Sequence, residues 1–177
     1  GFVQPYGIAL DSHGQVYVSD RGAHCVFVFG PDGRPRPRGP MGGQGSGPGE
    51  FDFPNFVCVD AADNVLVSEA KNHRVQVFDD RGQRVREYRS AERLPQPGAM
   101  AVTPSGYLLV HNESNGRVQV LNLDTGRFVG SVLVDLIAPY TRRLAVTRTG
   151  FLVALDMSSH CLWRYPIPFE KLQAAAP

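Results

Sequence analysis

The feature that most limits what this chain can fold into is a pattern that recurs four times. Residues 54–78 read PNFVCVDAADNVLVSEAKNHRVQVF, three short apolar runs (Phe56–Val59, Val65–Val67 and Val75–Phe78) parted by polar turns. Runs of this length, rich in β-branched and aromatic residues and bounded by Asp and Asn, form strands of a meander. The pattern returns as PYGIALDSHGQVYVSDRGAHCVFVF from Pro5, PGAMAVTPSGYLLVHNESNGRVQVL from Pro97 and TRRLAVTRTGFLVALDMSSHCLWRY from Thr141. Start-to-start spacings of 49, 43 and 44 residues are those of an array of supersecondary units. No segment sustains apolar residues at three- and four-residue spacing, so helices are excluded as the main element.

Each repeat has room for a fourth, outer strand. Arg84–Arg89 alternates, and Arg127–Val134 follows the turn Leu123-Asp124-Thr125-Gly126, so both are expected to pair at an edge. The matching stretch of the first repeat, 30–52, is dominated by Gly, Pro and Arg. Proline cannot donate to a ladder, so any strand there is short and peripheral. The last repeat stops at Tyr165, Pro166 and Pro168 end the pairing, and Ile167–Pro177 reads as a tail. Apolar inner strands and polar outer strands predict an all-β fold, a β-propeller of four-stranded antiparallel blades. The repeats fall at about 1–52, 53–93, 94–134 and 135–177 of one propeller domain. The last repeat lacks an outer strand, and an open arc would expose two blade faces, so the four blades are expected to form part of a larger ring.

A net charge of +1 supplies no field that favours nucleic acid or membrane. No apolar run approaches the roughly 20 residues of a spanning helix. The three cysteines, Cys25, Cys58 and Cys161, contain no C-x-x-C pair and are odd in number. A disulfide framework is therefore not expected, and a cytoplasmic location is.

Candidate chemistry is repeated rather than singular. Asp20, Glu69, Asn112 and Asp156 share one repeat position, and His24, His73 and His160 share another, where the third repeat has Gly116. Carboxylates and imidazoles are the usual acid–base and metal groups. A group present in every unit is better read as shaping its own turn, the carboxylate accepting backbone N–H bonds. Cys25 and Cys161 each follow a histidine, but neighbours on a strand point to opposite faces, so no activated thiolate is read from them. Gly42–Gly47 lacks the terminal Lys of a phosphate loop, and GQGSG at 43–47 misplaces its Ser for a nucleophile elbow. No catalytic residue, metal ligand or cofactor is expected.

The segment Val67–Phe78, with Asn72-His73 followed by Arg74, resembles the NHL repeat, named for an Asn-His-Leu signature. Gly45-Ser46-Gly47-Pro48-Gly49-Glu50-Phe51, followed by Pro54, is similar to the linker that joins blades in that family. The resemblance implies a six-bladed ring of the kind found at the C-terminus of tripartite-motif and RING-type ubiquitin ligases and of related translational repressors. It implies a non-enzymatic recognition domain whose partner is a protein, as at the substrate-recognition end of a ubiquitin-ligase-like protein. An RNA-binding propeller in post-transcriptional repression is the alternative, and a channel-centred lyase or lactonase on the same fold is a second. The enzyme would need His or carboxylate ligands where inner strands begin, and those positions are Tyr6-Gly7, Asn55-Phe56, Gly98-Ala99 and Arg142-Arg143. Neither a membrane nor a small-molecule substrate is expected.

Two surfaces are candidates for the partner. In such a ring the starts of the inner strands and the loops after the second strands emerge on one face. There the expected partner-binding residues are Tyr6, Arg21, Asn55, Phe56, Lys71, Tyr140 and Arg142, aromatic and basic groups suited to stacking and to anions. The other candidate is Gly33–Pro40 (GRPRPRGP), which holds Arg34, Arg36 and Arg38 on an extended strip. That strip is open to an acidic partner or RNA, and serves equally as a degenerate outer strand kept soluble by charge.

Overall fold

A computed structural model describes residues 1–90, 93–132, 141–156 and 160–167, with the side chains of 132, 141 and 142 outside the description. The chain divides into two compact units, Gly1–Ala91 and Glu92–Pro177. In the first unit, β1 (Pro5–Leu10), β2 (Val16–Asp20) and β3 (Cys25–Phe29) form one sheet. Beside it, β4 (Pro54–Val59), β5 (Val65–Glu69), β6 (Arg74–Phe78) and β7 (Arg84–Arg89) form another. In the second unit, β8 (Pro97–Val102), β9 (Tyr107–Asn112), β10 (Val118–Asn122) and β11 (Phe128–Val132) make a four-stranded sheet. The strands β12 (Thr141–Val146), β13 (Phe151–Asp156) and β14 (Cys161–Pro166) make a three-stranded one. Within each sheet, strands adjacent in sequence pair antiparallel, which is the order of a propeller blade.

Side chains close the turns as the sequence pattern requires. Between β1 and β2 the Asp11 carboxylate accepts N–H bonds from His13 and Gln15 at 2.9 and 2.8 Å. Asp60 does the same for Ala62 and Asn64, and Thr103 and Thr147 hold Tyr107 and Phe151 through their hydroxyls. Such Asx and Ser/Thr bonds replace the ladder where the chain reverses.

The stretch 30–52 pairs with the edge of β3 only at isolated bridges, Val26 to Met41 and Phe29 to Pro35. The proline content accounts for that, since each Pro removes a donor.

Each unit has its own core. In the first, Tyr17, Val26 and Val28 meet Val57, Val65, Val67, Phe51 and Phe78 between the two sheets. In the second, Tyr107, Leu109, Val118 and Val120 pack with Leu152, Ala154 and Ile167. Burying each such side chain stabilises by about 1.5–3 kcal/mol. The strands β5 and β6 are buried on both faces, whereas β1 turns Ile8 and Leu10 outward. The inner strands approach closely at Gly7, where a Cβ would lie 2.8 Å from Ser19 Oγ and 3.0 Å from Phe56 Cα. Ser19 uses that proximity, accepting from Gly7 N–H at 2.9 Å and donating to the Asn55 carbonyl at 2.8 Å.

Candidate partner-binding site

The turns between second and third strands position the candidate residues, and their backbone explains the repeated histidines. His24, His73 and His160 lie at φ of 52°, 52° and 57°, in the left-handed region. Gly116 occupies the same turn position at φ 68°. The shared requirement is thus a left-handed residue, which a glycine meets without the side-chain penalty.

The position before each of these turns ties down the segment that leads into the blade. Asp20 accepts N–H bonds from Val3 and Gln4 at 2.7 and 2.8 Å, and from Gly22 and Ala23 at 3.0 Å. Burial pushes its carboxyl up, but these four donors outweigh it and hold the group below the usual carboxylate range. Glu69 takes Asp52 N–H at 3.1 Å, and Asn112 donates to the Arg93 carbonyl at 2.7 Å. In the second sheet the device is larger. Arg74 and Glu69, 1% and 0% exposed, pair at 2.5 Å. The Arg74 guanidinium also reaches the carbonyls of Ser46, Gly47 and Glu50 at 2.9, 3.0 and 2.8 Å.

On this frame two cation–aromatic plates form at the lead-in end of the first unit. The Arg21 guanidinium lies 3.4 Å above the Tyr6 ring centroid. Its Nε donates to Asn55 Oδ1 at 2.8 Å, which fixes the plane of the fork. Beneath, Phe56 meets Tyr6 edge-to-face with centroids 5.1 Å apart. In the second plate Lys71 Nζ stands 3.8 Å over the Phe53 ring, and His24 meets the same ring edge-on at 4.9 Å. Contacts of this kind are worth roughly 0.5–1 kcal/mol each when exposed. Their larger effect is to hold a flat apolar surface and a positive charge in one place.

Tyr6, Arg21, Asn55 and Phe56 are therefore brought together. Their roles differ from that expectation. Asn55 and Phe56 are 1% and 5% exposed, because both inner strands pack tightly at the Gly7 contact, so they support the plate rather than face a ligand. Tyr6 and Arg21 are half-buried and Lys71 is exposed. Tyr140 and the side chain of Arg142 lie outside the described residues. Phe53 was not among the candidates, although its place directly before Pro54, at the entry to an inner strand, was a usable signal.

The arginine strip is not one surface. Arg34 turns back toward Asp32 at 3.7 Å, both exposed, while Arg36 donates to the Asp80 carbonyl at 3.1 Å. Arg38 lies with Arg36 along a cavity that the turn of Asp80 and Arg81 completes. Among the described residues no group of three or more His, Cys, Asp and Glu is placed to hold a metal ion. No helix among them is long and apolar enough to cross a membrane.

Comparison with known proteins supports the repeat type. The NHL repeat profile matches residues 2–29 and 51–78, which hold β1–β3 and β4–β6 of the first unit. The chain is 30% identical over 145 residues to peptidylglycine alpha-amidating monooxygenase of Rattus norvegicus, covering 74% of this chain and 15% of that protein. It is 29% identical over 138 residues to NHL repeat-containing protein 3 of Mus musculus, covering 77% of this chain and 39% of that protein. The chain thus spans well under half the length of these relatives. Among solved structures, virginiamycin B lyase from Staphylococcus aureus superposes with a TM-score of 0.66 at 14% identity, over 95% of this chain and 57% of the lyase. At that identity the likeness is one of fold, and the fold is a β-propeller. The expectation of a non-enzymatic recognition domain is corrected here. The relatives it resembles include an amidating monooxygenase, and the lyase that shares its fold is also an enzyme.

Proposed function

We propose that this NHL-repeat propeller binds a polypeptide at the face carrying the Tyr6–Arg21 and Phe53–Lys71 plates. The observation that supports it is the Arg21 stack, 3.4 Å over Tyr6 and pinned by Asn55. A half-buried aromatic ring topped by an oriented guanidinium is the composition of protein-interface hot spots. The flat stack meets apolar side chains, and a guanidinium fork matches the geometry of a peptide carboxylate. Relatedness to a protein whose name specifies peptidylglycine favours the same ligand class. A ubiquitin-ligase parent and cytoplasmic residence belong to the same proposal. The first is supported by the repeat type alone, and the second by an odd set of three cysteines.

The test is a fluorescence-polarisation titration of the whole chain with a labelled pool of glycine-terminated peptides and, separately, a pool of single-stranded RNA, at low and high salt. Peptide binding that Tyr6→Ala and Arg21→Ala each weaken, with melting temperature kept, supports the proposal. RNA binding loses about 0.7 log units per contacted phosphate for each log unit of salt. Retention of RNA with that dependence, abolished by Arg21→Glu and unmatched by peptide, would sink it in favour of RNA.

A further inference from the structure

At the opposite end of the first unit, away from both plates, lies a second site. Between its bridges to β3 at Pro35 and Met41, the chain passes beside the turn joining β6 to β7, where Arg36 reaches the Asp80 carbonyl. Between them is a cavity of about 360 Å³ lined by Arg36, Pro37, Arg38, Asp80 and Arg81. Three guanidinium groups and one carboxylate meet there, a local excess of two positive charges in a chain whose net charge is +1. The Asp80 carbonyl holds Arg36 in place, and among the described residues neither Arg38 nor Arg81 is ion-paired. Arg36 also borders a second cavity, of about 290 Å³, whose other walls include Phe2, Phe27, Phe29, Pro35 and Pro40. An arginine-lined cavity and an apolar cavity thus share one wall.

We propose that this pair of cavities binds a phosphorylated peptide, the phosphoryl group among Arg36, Arg38 and Arg81 and a neighbouring apolar side chain against Phe27 and Phe29. Planar guanidinium forks match phosphoryl oxygens bidentately, and several forks around one cavity suit a dianion better than a single carboxylate. The apolar cavity sits at the lower end of ligand-pocket volumes, roughly 300 Å³, which suits one large side chain. A nucleic acid tracked by its backbone needs a run of basic groups. Here Arg34, bent back to Asp32, breaks that run. The Asp80 carboxylate opposes the bound anion and sets a limit on affinity. The site shares no residue with the plates, so it stands or falls independently of the function proposed above.

Fluorescence-polarisation titrations of the whole chain test it, using a short labelled peptide with one phosphoserine flanked by leucines and its unphosphorylated twin. The expected result is a preference of about tenfold or more for the phosphopeptide, competed by inorganic phosphate. Arg38→Glu/Arg81→Glu should erase that preference while the melting temperature stays put, and Arg38→Gln/Arg81→Gln covers the case in which reversal disturbs folding. Arg34→Glu should leave binding unchanged, and Asp80→Asn should tighten it. Equal binding of the twin, or a preference that survives both double variants, overturns the proposal. So does tighter, Arg81-dependent retention by phosphoinositide-containing vesicles or by single-stranded RNA, which would assign the anion to a lipid or a nucleic acid.

Discussion

Replacing Arg74 with alanine should be among the most damaging single changes in the first unit, and the reason is Glu69 more than the arginine itself. Arg74 is 1% exposed, and its removal leaves a carboxylate that is 0% exposed without its counter-charge. Breaking a buried pair from one side typically costs about 3–5 kcal/mol. Glu69 keeps donors from Asn72 at 2.6 Å, Gln76 at 2.8 Å and Asp52 N–H at 3.1 Å, which argues for the lower end, about 3 kcal/mol. The carbonyls of Ser46, Gly47 and Glu50 add less, because their loop is partly exposed and water can replace the guanidinium. Urea unfolding followed by far-UV circular dichroism measures the loss as a shift in midpoint at unchanged slope. The mechanism makes a sharper demand. Adding Glu69→Gln to Arg74→Ala should recover about 1 kcal/mol or more, since the orphaned charge is gone. Arg74→Lys should fall between wild type and alanine, an ammonium being unable to span the carbonyls and the carboxylate together. A cost under about 1 kcal/mol for Arg74→Ala, or a double variant no better than the single, would refute the reasoning.

His111 is fully buried in β9 with neither ring nitrogen hydrogen-bonded, and burial pushes its pKa from 6.5 down to about 4. The unfolded chain then binds the proton first as pH falls from 6.5 to about 4, so stability should drop by about 3 kcal/mol over that window. His111→Ser, the residue found at the matching positions Ser19 and Ser68, should flatten that slope in melts taken across the same pH range. Val77 is 5% exposed in β6, and Val77→Ala should cost about 2–3 kcal/mol by urea unfolding through lost transfer energy and a cavity. At His73, held at φ 52°, valine should be at least about 1 kcal/mol worse than glycine in paired thermal melts; equal melting temperatures would remove the left-handed turn as the explanation for the repeated histidines.

The strands, their antiparallel order and the polar turns between them were legible in the sequence because period-two patterns and turn chemistry act within a few residues. The repeated carboxylates were legible for the same reason, as Asp20 shows with its four backbone donors. The proline-rich stretch 30–52 likewise announced a sheet with no full outer strand. Other properties depend on which strand comes to lie beside which. Asn55 and Phe56 look like loop-face residues by position, yet the Gly7 contact seats them under Tyr6. Arg74 occupies the third place of the Asn-His-Arg triplet, and nothing in that triplet assigns it a partner. Only the folded linker, returning to within hydrogen-bond reach, turns it into a buried clamp. Arg34, Arg36 and Arg38 read as one strip, and the tertiary structure separates the first and gives the other two Arg81, 43 residues beyond Arg38, as a neighbour. Side-chain burial and convergence across sheets are long-range quantities, set by packing between strands distant in sequence, and no local pattern encodes them.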